Sequence, residues 1–211
     1  ASDVYKRQGI NLAAYAWAMQ HLSKDDEIIL SVMEHHANIV PWHFLRERLG
    51  VRLKWVDCDS NGNLDPQRII EQFTENTKLL AITHMSNVLG TVVDVRTLCH
   101  EARTKGIVSL VDGSQAAVHM PVNVSDIGCD FYAITGHKLC GPSGSGALYV
   151  RNEMQKTMRP FLGGGDMIKD VFKDKIIYND PPMKFEAGTP GIVQTIGLGV
   201  ALEYMMNIGM D

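Results

Sequence analysis

Apolar residues recur at three- to four-residue intervals from Ile10 to Leu22, a spacing that predicts a helix. A short β-rich run follows from Glu27 to Met33, and a second helical pattern runs from Ile39 to Leu49. Val51 to Val56 reads as a strand, closed by the turn Asp59-Ser60-Asn61-Gly62-Asn63, whose Asn-Gly pair is a strong turn signal. Asp65-Pro66 then opens a helix, with Asp as N-cap and Pro in the first turn. Lys78 to Thr83 predicts a buried strand, Val95 to Lys105 a helix and Ile107 to Asp112 another strand. Phe131 to Thr135 and Gly146 to Arg151 are strands on either side of a glycine-rich loop, and Thr195 to Met206 forms a last helix. Gly163-Gly164-Gly165 and Asp180-Pro181-Pro182 mark long loops beyond the sheet. Strands alternating with helices at this spacing predict an α/β fold, a mostly parallel sheet with helices on both faces. Residues 1–8 are polar and lack the periodicity that starts at Ile10, which sets them apart from a domain over residues 9–211.

Composition narrows the class. With 211 residues, 45% hydrophobic and 21% charged, the chain suits one large soluble domain. A net charge of -4 gives no electrostatic reason to expect nucleic acid or an anionic membrane as partner. No apolar run approaches the roughly 20 residues of a membrane-spanning helix, and no secretory signal opens the chain. Cys58, Cys99, Cys129 and Cys140 form no CxxC pair, and scattered thiols fit a reducing cytoplasm. His35, His36 and His43 lack the spacing of a metal site, so no metal is expected.

The chemistry-bearing residues fall at strand exits, where open α/β sheets bind ligands. His35 and His36 follow the first strand, Asn87 follows the strand ending at Thr83, Asp112 closes its own strand, and Lys138 follows Thr135. Asp112 ends an apolar strand, where a buried carboxylate requires a cationic or hydrogen-bond-donating partner. Two readings stay open for it: a partner to a protonated pyridine nitrogen, or a cap on the turn through Gly113 and Ser114. Lys138, backed by glycine turns, suits a Schiff base if burial lowers its pKa. The alternative is a solvated loop lysine. The glycine loop Gly141-Pro142-Ser143-Gly144-Ser145-Gly146 matches neither phosphate-loop nor dinucleotide spacing. His35 offers a ring to stack on an aromatic cofactor, or simply begins the following helix with Glu34 as its cap.

Six segments, taken together and in order, resemble a known family. They are Met33-Glu34-His35-His36-Ala37-Asn38-Ile39-Val40-Pro41-Trp42, Ser86-Asn87-Val88-Leu89-Gly90-Thr91, Val111-Asp112-Gly113-Ser114-Gln115-Ala116, Thr135-Gly136-His137-Lys138-Leu139, Phe161-Leu162-Gly163-Gly164-Gly165 and Phe185-Glu186-Ala187-Gly188-Thr189-Pro190. The family is that of the class V aminotransferase-like enzymes dependent on pyridoxal 5'-phosphate (PLP), and the segments are most similar to the SUF-type (group II) cysteine desulfurases. The resemblance implies the large domain of a fold type I PLP-dependent transferase, with a sheet of the seven-stranded type. It implies that Lys138 carries PLP as a Schiff base and moves the substrate's α-proton. It pairs Asp112 with the pyridinium nitrogen and Gln115 with the ring's phenolic oxygen. His35 would stack on the ring and assist proton transfer, and Asn87 would orient substrate and ring. Thr135 and His137 would hold the phosphate, joined by Thr189 from the second subunit of a homodimer.

The activity so implied converts L-cysteine to L-alanine and an enzyme-bound persulfide, handed to a sulfur-acceptor protein for iron–sulfur cluster assembly in the cytoplasm. Selenocysteine lyase acting on L-selenocysteine, an epimerase or a kynureninase-like hydrolase of the same class, and a non-catalytic PLP-binding fragment are the alternatives. The family's sulfur-accepting cysteine lies in a C-terminal small domain, and none of the four cysteines here matches it. Cys140 stands where the family has a tyrosine, and is expected to be a buried structural thiol. Lys6-Arg7-Gln8 stand where the family has a threonine-rich phosphate-binding turn. Residues 1–8 are therefore expected to be foreign to the domain, with Lys6 or Arg7 left to meet the phosphate.

Overall fold

The computed structural model describes residues 4–209. Six strands form one sheet in the order β2-β1-β3-β4-β5-β6: β1 Glu27–Ser31, β2 Arg52–Val56, β3 Thr77–Thr83, β4 Val108–Asp112, β5 Phe131–Thr135 and β6 Gly146–Val150. β1 to β5 are mutually parallel and β6 runs antiparallel to β5 at the edge. The mostly parallel α/β reading holds, with six strands in this sheet where the seven-stranded type was expected. Ile168–Val171 (β7) and Ile176–Tyr178 (β8), expected as loop, pair with each other in a separate antiparallel hairpin. Their sequence hides them, because β7 sets two charged residues between Ile168 and Val171 and all three residues of β8 are exposed.

A sheet covered on both faces needs strands that are apolar throughout, and all five residues of β1 are buried. Ile28, Leu30, Leu79, Ala81, Leu110 and Phe131 turn to one face, against Ile10, Trp17, Trp42 and Leu45. Ile29, Leu80, Ile82, Val111 and Tyr132 turn to the other, against Ile69, Val95, Leu98 and Ile127 of the helices Pro66–Ile70, Val95–Thr104 and Val124–Ile127. Asp65 caps its helix as expected, its side chain accepting from Gln67 N.

The N-terminal helix departs from expectation. It begins at Val4 rather than Ile10, runs to Leu12, passes into a π-helix over Ala13–Ala18 and ends in the α-turn Met19–His21. Its inward face includes Lys6, Gly9, Ile10, Ala13, Ala14 and Trp17, all buried at helical spacing. Lys6 is one of those inward positions, and a lysine there breaks the apolar signal without breaking the helix.

Candidate functional site

Because β1, β3, β4 and β5 are parallel, their carboxyl ends lie along one edge of the sheet. His35, Asn87, Asp112 and the Thr135–Lys138 segment leave the sheet along that edge, as the strand-exit pattern anticipated. Asp112 is 3% exposed. Its Oδ1 accepts from Ser114 N at 3.1 Å, which realises the turn-capping reading. Its Oδ2 lies 2.9 Å from Lys6 Nζ, a cationic partner of the kind a buried carboxylate requires. Lys6 is itself 2% exposed, so the pair is shut away from water. Lys6 or Arg7 was expected to meet a phosphate; among the described residues Lys6 Nζ meets the carboxylate that ends β4.

The glycine after Asp112 has a steric cause. A Cβ on Gly113 would lie 1.9 Å from the Tyr132 ring, so the chain leaves β4 past Tyr132 only with glycine there. The Tyr132 hydroxyl meets His84 Nδ1 at 2.8 Å, and His84 N donates to Asp112 O at 3.0 Å. Burial pushes the Tyr132 pKa up and the His84 pKa down, which leaves both uncharged at neutral pH. Gln115 is half-buried at the start of the short helix Ala116–His119. Ser114 Oγ is buried and has no hydrogen-bond partner among the described residues.

On β5's exit, Lys138 ends the 3₁₀ turn Gly136–Lys138 and is half-buried. Gly136 N donates to Ser145 O at 2.7 Å, and a Cβ on Gly136 would stand 1.9 Å from Ser145 Oγ. The glycine thus lets the turn close against the loop before β6. Thr135 Oγ1 and His137 Nδ1 are 3.1 Å apart, an oxyanion-binding type of pair beside the lysine. Cys140, expected to be buried, is exposed at a left-handed backbone position with φ 57°. The turn that carries Lys138 faces solvent at Cys140.

His35 opens the 3₁₀ turn His36–Asn38, and its Nδ1 accepts from Ala37 N at 3.0 Å. Ala37 N, in place of Glu34, is therefore its capping partner, and in the neutral ring the proton sits on Nε2. Glu34 does something the sequence reading missed. Its Oε1 accepts from Ser31 Oγ at 2.5 Å and from Thr83 N at 3.0 Å, and its Oε2 from Asn38 Nδ2 at 2.7 Å. Asn38 Oδ1 in turn accepts from Trp42 Nε1 at 3.2 Å. This carboxyl ties the ends of β1 and β3 to the turn that carries His35. Burial raises its pKa to about 7, opposed by these hydrogen bonds and assisted by the nearby Asp112 charge. The only sequence hint was Asn38 four residues after an acid.

Asn87 reaches the same edge but is exposed. Thr189 is not brought to the other residues within the chain; it lines a separate cleft of about 640 Å³ with Gln8, Gly9, Leu148 and Phe185. Among the described residues no His, Cys, Asp and Glu cluster suits a metal ion, and no helix is long and apolar enough to cross a membrane. All four cysteines are unbonded.

The model of the Aminotransferase class-V family matches residues 7–211. A Xylella fastidiosa (strain Temecula1) protein named "Probable cysteine desulfurase" is 55% identical over 202 residues, 96% of this chain and 49% of that protein. An Escherichia coli (strain UMN026) protein named cysteine desulfurase is 46% identical over 208 residues, 97% of this chain and 50% of that protein. The crystal structure of the cysteine desulfurase CsdA (S-sulfonic acid) from Escherichia coli superposes with a TM-score of 0.94 at 39% identity, covering 97% of this chain and 51% of that one. The chain therefore spans about half the length of the curated relatives it matches.

Proposed function

The chain belongs to the aminotransferase class-V family, and from that premise we propose that it forms the large, cofactor-binding domain, residues 9–211, of a PLP-dependent cysteine desulfurase. The whole protein, on this reading, converts L-cysteine to L-alanine and passes the sulfur as a persulfide to an acceptor protein for iron–sulfur cluster assembly. The observation that carries the reading is the gathering of His35, Asp112, Thr135, His137 and Lys138 along the carboxyl edge of one parallel sheet.

The donor set fits PLP. A buried carboxylate whose Oδ2 already meets an ammonium at 2.9 Å is a site for a positive ring nitrogen. The Thr135 hydroxyl and His137 imidazole suit a phosphate, Ser114 Oγ is a buried hydroxyl still to be satisfied, and Lys138 supplies an amine. When bound, the cofactor would supply an electron sink for the α-carbon of an amino acid. Lys138 would hold it and move the α-proton, Asp112 would keep the ring nitrogen protonated, and Gln115 would donate to the ring's oxygen. His35 would offer its ring face, with its proton held at Nε2 by the Ala37 contact, and Asn87 would orient the substrate.

The finer reading is a SUF-type enzyme working as a cytoplasmic homodimer. Four unbonded cysteines support a reducing compartment. Val171, Phe172, Ile176 and Ile177 of the β7–β8 hairpin are exposed apolar residues close in sequence to Thr189, which supports a second copy covering that region and receiving Thr189. The test is a PLP titration followed by visible absorbance. The chain should develop the band of a lysine-linked cofactor and Lys138→Ala should not; no band in the unmutated chain would sink the cofactor reading. Alanine release from L-cysteine by the whole protein, against selenide release from L-selenocysteine, separates desulfurase from selenocysteine lyase.

A further inference from the structure

We propose that Glu34 is a positioning residue of the cofactor site: its buried carboxyl fixes the His35 turn against the exit of β3, and so sets where the His35 ring stands relative to Asp112. The inference rests on the cofactor reading given above, in which His35 faces the ring and Asp112 meets its nitrogen. Its ground is one run of contacts across three strand ends. Glu34 Oε1 accepts from Ser31 Oγ at 2.5 Å, where β1 ends, and from Thr83 N at 3.0 Å, where β3 ends. The next backbone amide, His84 N, donates to Asp112 O at 3.0 Å, and Thr83 stands opposite Asp112 in the register of β3 with β4. Two consecutive amides of the β3 exit thus meet the acid beside His35 on one side and the end of β4 on the other.

The second oxygen closes the turn. Glu34 Oε2 accepts from Asn38 Nδ2 at 2.7 Å, and Asn38 N donates to His35 O at 2.7 Å. Asn38 Oδ1 accepts from Trp42 Nε1 at 3.2 Å, which extends the anchor into the helix Val40–Leu49. His35 lies inside this clasp, one residue after Glu34 and three before Asn38. Glu34, Asn38 and Trp42 are buried, whereas His35 is half-buried, so the ring emerges from an anchor set in the core. The strands themselves do not need the carboxyl, because β1 and β3 already pair along Ile28–Leu30. A buried acid is costly, and here it stands where a turn, rather than a strand, has to be fixed. A side chain carried on a turn keeps its place only when packed and hydrogen-bonded neighbours lock it. If cutting the Asn38 link leaves the turn in place about one-fifth of the time, PLP affinity falls about fivefold, because only that fraction binds.

The experiment is a double-mutant cycle in PLP affinity, read by the visible band of the lysine-linked cofactor, with Lys138→Ala as the blank. Glu34→Gln keeps the shape but sets an amide against the Asn38 amide, and should bind PLP about fivefold more weakly than the unmutated chain. His35→Ala should also bind more weakly. Adding Glu34→Gln to it should weaken binding by less than about twofold, since the residue through which Glu34 acts is gone. An equal loss in both backgrounds, or no loss in either, overturns the proposal and leaves the cofactor reading standing; no band in the unmutated chain sinks both. Asn38→Ala cuts the same link from its other end and decides the matter if Glu34→Gln folds poorly, with the same dependence on His35 expected. A second readout needs no cofactor. Hydrogen exchange followed by peptide mass spectrometry should quicken about fivefold or more at the Ala37–Ile39 amides of Glu34→Gln, with those of β1 and β3 unchanged. Unchanged exchange at the turn, or an equal rise across the sheet, would refute the clasp.

Discussion

Glu34 allows a quantitative test of how the site's edge is held. Its carboxyl is 6% exposed and accepts three hydrogen bonds, yet burial outweighs them and lifts its pKa from 4.5 to about 7. The folded chain therefore holds a proton there that the unfolded chain releases between these two values. Stability from this group is fully present below pH 4.5, declines as pH rises and is gone above about pH 7. The gap corresponds to about 3 kcal/mol at 1.4 kcal/mol per unit, or very roughly 6–12 °C in Tm for a chain of this size. Glu34→Gln removes the titration while keeping the shape. Its amide would face the Asn38 amide and disturb the Asn38–Trp42 bond, a cost of about 1 kcal/mol that does not vary with pH. His84, whose pKa burial lowers, acts with opposite sign, losing stability as pH falls below 6.5. It is common to both proteins and cancels in their difference. Urea unfolding at pH 5 and pH 8 should show the unmutated chain losing about 2–3 kcal/mol more than the variant over that interval. Parallel pH profiles for the two proteins would refute the assignment of a shared, buried, proton-holding carboxyl to Glu34.

Two further outcomes follow from geometry. Gly113→Ala would set a methyl 1.9 Å from the Tyr132 ring, and either the β4 exit or the Tyr132–His84 pair must move; a loss of about 3 kcal/mol is expected in urea unfolding, and an unchanged midpoint would contradict the close approach. Thiol modification of the native chain should label exposed Cys140 first and half-buried Cys58 later. Cys99 and Cys129, pushed up to about 12 by burial, should react only after unfolding; early labelling of either would contradict their place in the core.

Much of the architecture was legible because a parallel sheet writes itself as apolar runs, and β1, β3, β4 and β5 each begin or end within two residues of the expected bounds. The exits were legible for the same reason: a polar residue directly after such a run has few places to go but the sheet's carboxyl edge. The π-helical stretch Ala13–Ala18 was not, since over one or two turns a periodicity of apolar residues cannot separate it from an α-helix. The misses at the site itself share a deeper cause. Hydrophobic patterning reads every lysine and glutamate as solvent-facing, and that fails where a buried charge has its own partner. Lys6 occupies an inward helical position because Asp112, 106 residues on in the sequence, waits there. Glu34 is buried because the backbone of Thr83, separated from it by 49 positions, donates to it. Both partners exist only once β1, β3 and β4 have lined up side by side. The residues that carry the candidate chemistry follow from local pattern, whereas the groups that hold them follow from an edge no single segment contains.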